Sequence, residues 1–375
     1  MNNRNLLFII TGLGVGGAEK QVCLLADQFA QLGNKITIIS LADKEILVKP
    51  QNKNIKIVSL NMKKNIFSFL ITANKLKNII KNEKPDVIHS HMIHANIFTR
   101  LVRIFVKIPV LISTAHNTNE GGKLRMFLYR ITDNLATIST NVSKEAVNSF
   151  IAQKATTPDR MITVYNAIDT NLFSYNELAR EKKRSEINLD DNTPIILSVG
   201  RLTKAKDYPN LFHAFSNLNL SKRPKLVIIG DGEEKENLQQ LACDLKISKD
   251  ILWLGIRHDV SDWMSACDLF ILPSAWEGFG LVVAEAMSCK RLVIGTNSGG
   301  VGEVINKYGL VIPPKNSIAL ASAITQCLSL PEQKRNSLGI LARKHIINTF
   351  SVEKISQQWL ALYNELLNKN NEKSY

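Results

Sequence analysis

The chain has 375 residues and a formal charge of +14, with 45% apolar and 21% charged residues. Such a length points to two domains, or three, and the composition excludes a disordered chain, a collagen and a disulfide scaffold. No apolar run reaches the roughly 18–20 residues that a membrane span needs, and the stretch 101–114 is interrupted by Arg103, Lys107 and Pro109.

The chain opens on a short apolar run that ends in TGLGVGG with no Ala-x-Ala site. It reads as a first strand and not as a signal peptide, and a cytoplasmic location is expected. Five scattered cysteines without a CxxC pair argue against a disulfide framework or a zinc site. Charge is unevenly spread: residues 1–170 hold 22 Lys/Arg against 11 Asp/Glu, and residues 171–375 hold 25 against 22. One reading is a first domain facing an anionic partner; the other is a Lys/Asn-rich composition that writes Lys wherever a surface position is free.

In chain order, LLFII, KITIIS, IKIVSL, DVIHSH, VLIST, LATIST and ITVYNA read as strands, with helices over 22–32, 66–81, 123–133 and 143–153. The pattern restarts after about residue 192 with PIILSVG, KLVIIGDG, ILWLG, LFILPS, RLVIGT and GLVIPP. Short apolar runs read as strands buried on both faces and separated by helices, which predicts parallel sheets. Two such series predict two doubly wound α/β domains. The charged segment 175–192 reads as the linker and the first elements of the second domain. Residues 351–368 place Ile355, Trp359, Leu362, Tyr363, Leu366 and Leu367 at helical spacing, which predicts an amphipathic helix docked on a core. The last seven residues are polar and are expected to fray.

Phosphate chemistry is suggested by three loops. Gly12, Gly14 and Gly17 form GxGxxG between a strand and a helix, a pattern that lets backbone N–H groups approach a phosphate. An oxidoreductase using a nicotinamide cofactor would want an acid at the end of the second strand, and Asp43 lies beyond that end. The strand PIILSVG runs into Gly200-Arg201-Leu202 and then Lys206, two cations suited to a diphosphate. Trp276-Glu277-Gly278-Phe279-Gly280-Leu281 opens an apolar helix whose free N–H groups can hold a phosphate. Glu285 stands inside that helix among Val282, Val283, Ala284, Ala286 and Met287, where a carboxylate needs a partner: sugar or ribose hydroxyls, or the backbone.

Taken together, Gly-Gly-Ala-Glu at 16–19, Asn166-Ala167-Ile168-Asp169, Gly200-Arg201-Leu202-x-x-x-Lys206, Gly230-Asp231-Gly232 and Glu277-x7-Glu285 resemble the retaining glycosyltransferases of family 4, in the family's order and over nearly the whole chain. Ala167 stands where the family writes Gly. The resemblance implies a GT-B fold, two Rossmann-like doubly wound domains facing across a cleft: an acceptor-binding domain over 1–172, a nucleotide-sugar domain over 173–350, and a last helix, 351–368, returning to the first. It implies that Gly16 and Gly17 approach the donor diphosphate, that Arg201 and Lys206 neutralise it, and that the Gly280 and Leu281 N–H groups complete its cradle. Glu285 then binds the ribose, Glu277 and His116 hold the sugar, and residues near Arg257 line the base. Catalytic roles fall to His116, Glu277, Arg201 and Lys206. No nucleophile is named, and no metal or other cofactor is expected, since no DxD is present and fixed cations can stabilise the leaving group.

His89, His91 and His94 follow the strand DVI, and an HxH at a strand end can bind metal; packing or acceptor lining is the preferred reading. Among cationic-apolar stretches, 67–80 and 101–107 read as core helices with basic outer faces. The segment 123–130, with Lys123, Arg125 and Arg130 among Leu124, Met126, Phe127, Leu128 and Tyr129, reads as a peripheral contact with an anionic inner-membrane surface. The function expected is transfer of a hexose or N-acetylhexosamine from a nucleotide sugar, UDP-linked by family frequency, to a lipid-diphosphate-linked glycan in capsule or O-antigen lipopolysaccharide synthesis. The alternative is an NAD(P)-dependent oxidoreductase on the GLGVGG loop. A nucleic-acid binder is disfavoured, since no reading motif is present and aromatic residues are only 7%.

Overall fold

Thirteen strands divide between two parallel sheets in a computed structural model that describes residues 3–42, 46–190 and 192–372. The chain splits into one unit of residues 1–167 with 352–375 and a second of residues 168–351.

The first unit runs β1 (Asn5–Ile10), α1 (Gly17–Gln31), β2 (Lys35–Ser40), β3 (Lys56–Ser59), α2 (Ile66–Glu83), β4 (Val87–His91), α3 (Ile93–Val102), β5 (Val110–Ala115), α4 (Lys123–Thr132), β6 (Ile138–Asn141), α5 (Lys144–Ala152) and β7 (Met161–Thr163). Its strand order is β3-β2-β1-β4-β5-β6-β7, so the chain reverses its direction of growth between β1 and β4. Side chains alternate across the sheet as a strand requires. Leu6, Phe8 and Ile10 enter one core with Val22 and Phe29 of α1, while Leu7 and Ile9 enter another with Leu76, Ile80 and Phe98 of α2 and α3. Residues 168–172, placed in the first domain by the sequence, belong to the second unit.

The second unit runs α6 (Glu177–Glu186), β8 (Ile195–Val199), α7 (Tyr208–Ser216), β9 (Lys225–Ile229), α8 (Lys235–Asp244), β10 (Ile251–Trp253), α9 (Val260–Ala266), β11 (Leu269–Leu272), α10 (Leu281–Ser288), β12 (Leu292–Thr296), α11 (Val301–Ile305), β13 (Leu310–Ile312), α12 (Ser317–Leu328) and α13 (Glu332–Phe350). Its order, β10-β9-β8-β11-β12-β13, reverses between β8 and β11. The segment expected to hold the linker and the first elements of this domain carries the helix α6, capped by the Asn176 side chain accepting from the Ala179 N–H at 3.1 Å. Arg184 is buried there, donating to the carbonyls of Asp190 and Thr193 at 2.7 and 2.6 Å and pairing with Asp268 at 3.4 Å. A charged sequence hides a helix because its cations are spent on buried acceptors, which composition does not reveal.

The chain then returns to the first unit as α14 (Val352–Glu372). Trp359, Tyr363 and Leu366 are buried in the same core as Phe8 and Phe29. Lys369 continues this helix and pairs with Glu365 one turn back, so the expected fraying does not begin at residue 369; residues 373–375 lie outside the described residues, as does Asp43.

Candidate active site

Ligands in doubly wound sheets bind beyond the carboxyl ends of the strands where the order reverses. In the second unit, four loops gather there. The β8 loop is tied to the β9 loop by Gly200 N–H donating to Ile229 O and Leu202 N–H to Asp231 O, both at 3.0 Å. The approach needs glycine: Gly230 has φ +139°, and a Cβ there would strike the Gly200 carbonyl, as one on Gly232 would strike Leu202. The loop before α10 joins through Ala275 N–H to Ala205 O at 2.8 Å, and the loop after β12 through Gly300 N–H to Gly278 O at 3.0 Å. This fourth loop, 297–300, was not singled out from sequence. Its signal was Gly299, whose φ of +56° places it against the Glu277 carbonyl.

Lys206, on a single 3-10 turn, forms an ion pair with Glu277, and Ser274 Oγ donates to the same carboxylate oxygen at 3.1 Å. Sequence reasoning gave these two residues separate roles, diphosphate and sugar; the fold joins them. Arg201 is exposed beside them in the same loop. Gly280 precedes α10 with φ +85°, and a Cβ there would press on Val301 at 2.9 Å. The first N–H groups of α10, including that of Leu281, have no carbonyl within the helix to bond. Along α10, residues 283, 284 and 286–288 are buried, whereas Leu281, Val282 and Glu285 form the one half-exposed strip. Arg257 follows β10 and is clamped by Asp259 through Nε–H and Nη2–H at 2.8 and 2.5 Å, a pairing that raises the guanidinium and lowers the carboxyl from their usual ranges.

In the first unit, Gly16 and Gly17 open α1, with no side-chain cap from Gly16. The Glu19 carboxylate folds against the Cα of Gly16. A carboxylate at a helix start is favourable, so an incoming phosphate meets an internal anion at the place expected to receive it. Gln21, buried on the same helix, accepts from the Ala167 N–H and donates to the Ala167 carbonyl, both at 2.7 Å.

His116 follows β5, half-buried, and its Nε2 lies 3.2 Å from Nδ1 of His91 on β4. Burial pushes His116 down to about 4. Its backbone N–H donates to Glu120 Oε1 at 2.9 Å, and Tyr129 Oη donates to Glu120 Oε2 at 2.9 Å. Glu120, missed from sequence because it sits in a polar loop, anchors that loop; burial raises its carboxyl above the ordinary range against the hydrogen bonds it accepts. His89 is spent on packing: Nδ1 bonds Tyr363 Oη at 2.7 Å and Nε2 bonds Thr114 Oγ1 at 2.6 Å. Among the described residues, no group of three His, Cys, Asp or Glu is placed to hold a metal ion.

The cationic-apolar stretches differ from expectation. On α4, Met126 and Tyr129 turn into the core, and Leu124, Phe127 and Ile131 face out, the first two 73% and 53% exposed. On α2, Thr72, Leu76 and Ile80 are buried, and the first turns expose Ile66, Phe67, Leu70 and Ile71. After α3, Ile104 and Phe105 are exposed as well. The outer faces at 67–71 and 104–105 are therefore apolar rather than simply basic. Burial, then the charges of Arg125 and Lys64, hold His94 below its ordinary range.

Two doubly wound units, one with paired cations and a helix start at its switch point, define a protein built to handle a phosphate-bearing ligand. Residues 15–172 match the model Glycosyltransferase Family 4, and residues 179–345 match Glycosyl transferases group 1. The chain belongs to the family 4 glycosyltransferases and has the GT-B fold. Both models describe glycosyltransferases, which sets aside the oxidoreductase reading of GLGVGG. It is 28% identical to the N-acetyl-alpha-D-glucosaminyl L-malate synthase of Bacillus anthracis, covering 96% of this chain and 95% of that one. It is 26% identical, over 87% of this chain and 90% of the other, to the Campylobacter jejuni N-acetylgalactosamine-N,N'-diacetylbacillosaminyl-diphospho-undecaprenol 4-alpha-N-acetylgalactosaminyltransferase. Among solved structures, Anabaena HepE in complex with UDP superposes with a TM-score of 0.82 at 20% identity, covering 96% of this chain and 100% of that one.

Proposed function

We propose that this glycosyltransferase moves a hexose or N-acetylhexosamine from a UDP-sugar to a lipid-diphosphate-linked glycan with retention of configuration, in assembly of a cell-surface polysaccharide such as capsule or O-antigen. The observation that carries the reading is the loop cluster in which Arg201, the Lys206–Glu277 pair and the start of α10 stand together. As the sugar–phosphate bond breaks, negative charge grows on the departing diphosphate. Arg201, Lys206 and the Gly280 and Leu281 N–H groups stabilise it, prearranged and needing little reorganisation. Donor binding gives Lys206 a second anion, freeing the Glu277 carboxylate to accept from sugar hydroxyls. Glu285 takes the ribose hydroxyls, and the loop at Arg257 lines the base. The family resemblance assigns a diphosphate contact to Gly16 and Gly17 and a sugar contact to His116. Donor choice draws support from HepE, solved with UDP, and acceptor choice from the Campylobacter relative, named for a diphospho-undecaprenol substrate. The test is a thermal-shift and turnover panel of nucleotide sugars, where stabilisation by NAD(P) and by no nucleotide sugar sinks the reading.

Protein groups supply the charge stabilisation, so turnover is metal-independent. Activity is expected to persist in EDTA; complete loss restored by magnesium or manganese overturns that part of the mechanism.

The acceptor reading comes with a membrane contact. Lys63, Lys64, Lys123, Arg125 and Arg130 are exposed around Phe67, Leu70, Leu124 and Phe127, an arrangement that places cations at lipid headgroups and apolar side chains in the interface. Each cation near an anionic surface contributes about 1 kcal/mol, screened by salt. Binding to anionic liposomes is expected at low salt, falling as salt rises. Changing Lys123, Arg125 and Arg130 together to Ser weakens it and lowers turnover of a lipid-linked acceptor, not of a short soluble one. Equally poor co-sedimentation with anionic and neutral liposomes removes the membrane role. Because the Bacillus anthracis relative is named for L-malate, malate belongs in the soluble acceptor panel; turnover of malate alone replaces the lipid-linked acceptor by a small hydroxy acid.

A further inference from the structure

We infer that His91 is a positioning residue that fixes the ring tautomer of His116, so that His116 presents a neutral N–H donor, on Nδ1, to a substrate oxygen. The inference rests on the proposed contact between His116 and substrate.

The His91 ring is enclosed at the carboxyl end of β4, with Phe8 edge-on at 5.6 Å and the His89 ring at 4.0 Å. Burial holds His89, His91 and His116 below their ordinary range, so all three are neutral near pH 7. Between two neutral rings, the 3.2 Å contact from His91 Nδ1 to His116 Nε2 holds one proton. The remaining His91 nitrogen, Nε2, is buried and bonded to nothing among the described residues. Two arrangements follow. If His116 Nε2–H donates, the His91 proton sits on Nε2 and becomes a buried N–H without an acceptor. If His91 Nδ1–H donates, His91 Nε2 is a bare nitrogen and the His116 proton sits on Nδ1. Orphaned buried N–H groups are rarer in folded proteins than unsatisfied acceptors, so the second arrangement is the one we assign. His89 offers no alternative acceptor, since its two nitrogens are taken by Tyr363 and Thr114.

The consequence is chemical. His116 is half-buried and its Nδ1 bonds nothing among the described residues, which leaves it open to a ligand. Carrying the proton there, His116 hydrogen-bonds an electron-rich oxygen of a sugar or a departing group. It does not act as a base from that nitrogen. His116 cannot choose this tautomer alone; its partner, the last residue of DVIHSH, sets it.

The test is a long-range proton–nitrogen correlation spectrum of the full-length protein labelled with 15N-histidine at pH 7, with His116 assigned from the signals lost in His116→Gln. The expected result is a protonated Nδ1 and a bare Nε2 on His116. The proton on Nε2 overturns the inference, and this arm needs no His91 variant to fold. In His91→Asn, whose amide can still donate, the pattern and turnover are expected to persist. In His91→Asp, whose carboxylate accepts and cannot donate, the His116 proton moves to Nε2 and kcat falls about tenfold, the scale of one lost hydrogen bond. An unchanged His116 pattern in His91→Asp also overturns it. His116→Ala tests the parent reading separately: full turnover there removes the substrate contact, whereas the nitrogen pattern reports on His91 whether or not His116 touches substrate.

Discussion

Arg201→Ala and Lys206→Ala are each expected to lower kcat/KM by about 10²–10³, or roughly 3–4 kcal/mol of transition-state stabilisation, the scale of one prearranged donor at a developing anion. The two differ in stability, and that difference makes the prediction specific. Arg201 is exposed, and its removal leaves the melting temperature nearly unchanged, within about 0.5 kcal/mol. Lys206 is the ion-pair partner of Glu277, whose side chain is only 14% exposed. Its loss strands a largely buried carboxylate supported by Ser274, at a cost of about 1–3 kcal/mol. The double change Lys206→Ala with Glu277→Gln is therefore expected to recover stability without recovering turnover. Near-normal turnover in both single variants removes the proposed diphosphate site. Recovered turnover in the double variant shows that Lys206 only neutralises Glu277.

Trp359→Ala is expected to destabilise the first unit by about 3–5 kcal/mol, the range for a buried Trp. Trp359 is 2% exposed in the core that also holds Phe8, Phe29 and Tyr363, and its ring lies 4.5 Å from that of His89. Since each unit has its own sheet and core, calorimetry should show the transition of the first unit lowered by about 10 °C. The second unit, which holds none of these contacts, keeps its transition. A change of under 2 °C would mean that α14 does not hold this core. Tyr363 also bonds His89, so loosening α14 frees a ring that packs on His91, and Trp359→Ala should lower turnover even below its melting temperature.

All thirteen strands were legible because most carry a short apolar run of the kind a buried parallel sheet demands. The amphipathic spacing of Ile355, Trp359 and Tyr363 likewise marks the buried face of α14. The helix α3 was not read. Its sequence carries Asn96, Thr99 and Arg100, which look like surface residues and are buried; Arg100 donates to Ser113 and Ser139 at 3.2 and 2.8 Å, partners that no local window contains. The glycines at 200, 230, 280 and 299 could be seen in the sequence, but the reason for three of them was hidden. The carbonyl or side chain that forbids a Cβ belongs to Gly200 for Gly230, to Val301 for Gly280 and to Glu277 for Gly299. The candidate site follows the same division. Residue types were readable, since a diphosphate calls for cations and a helix start wherever they stand. Their pairing was not: Lys206 meets Glu277 across 71 positions of sequence, and His91 meets His116 across 25. Local propensity decides which segments become strands and helices. The order in which strands lie in a sheet decides which loop ends become neighbours, and that order is a balance over the whole core that no single segment records.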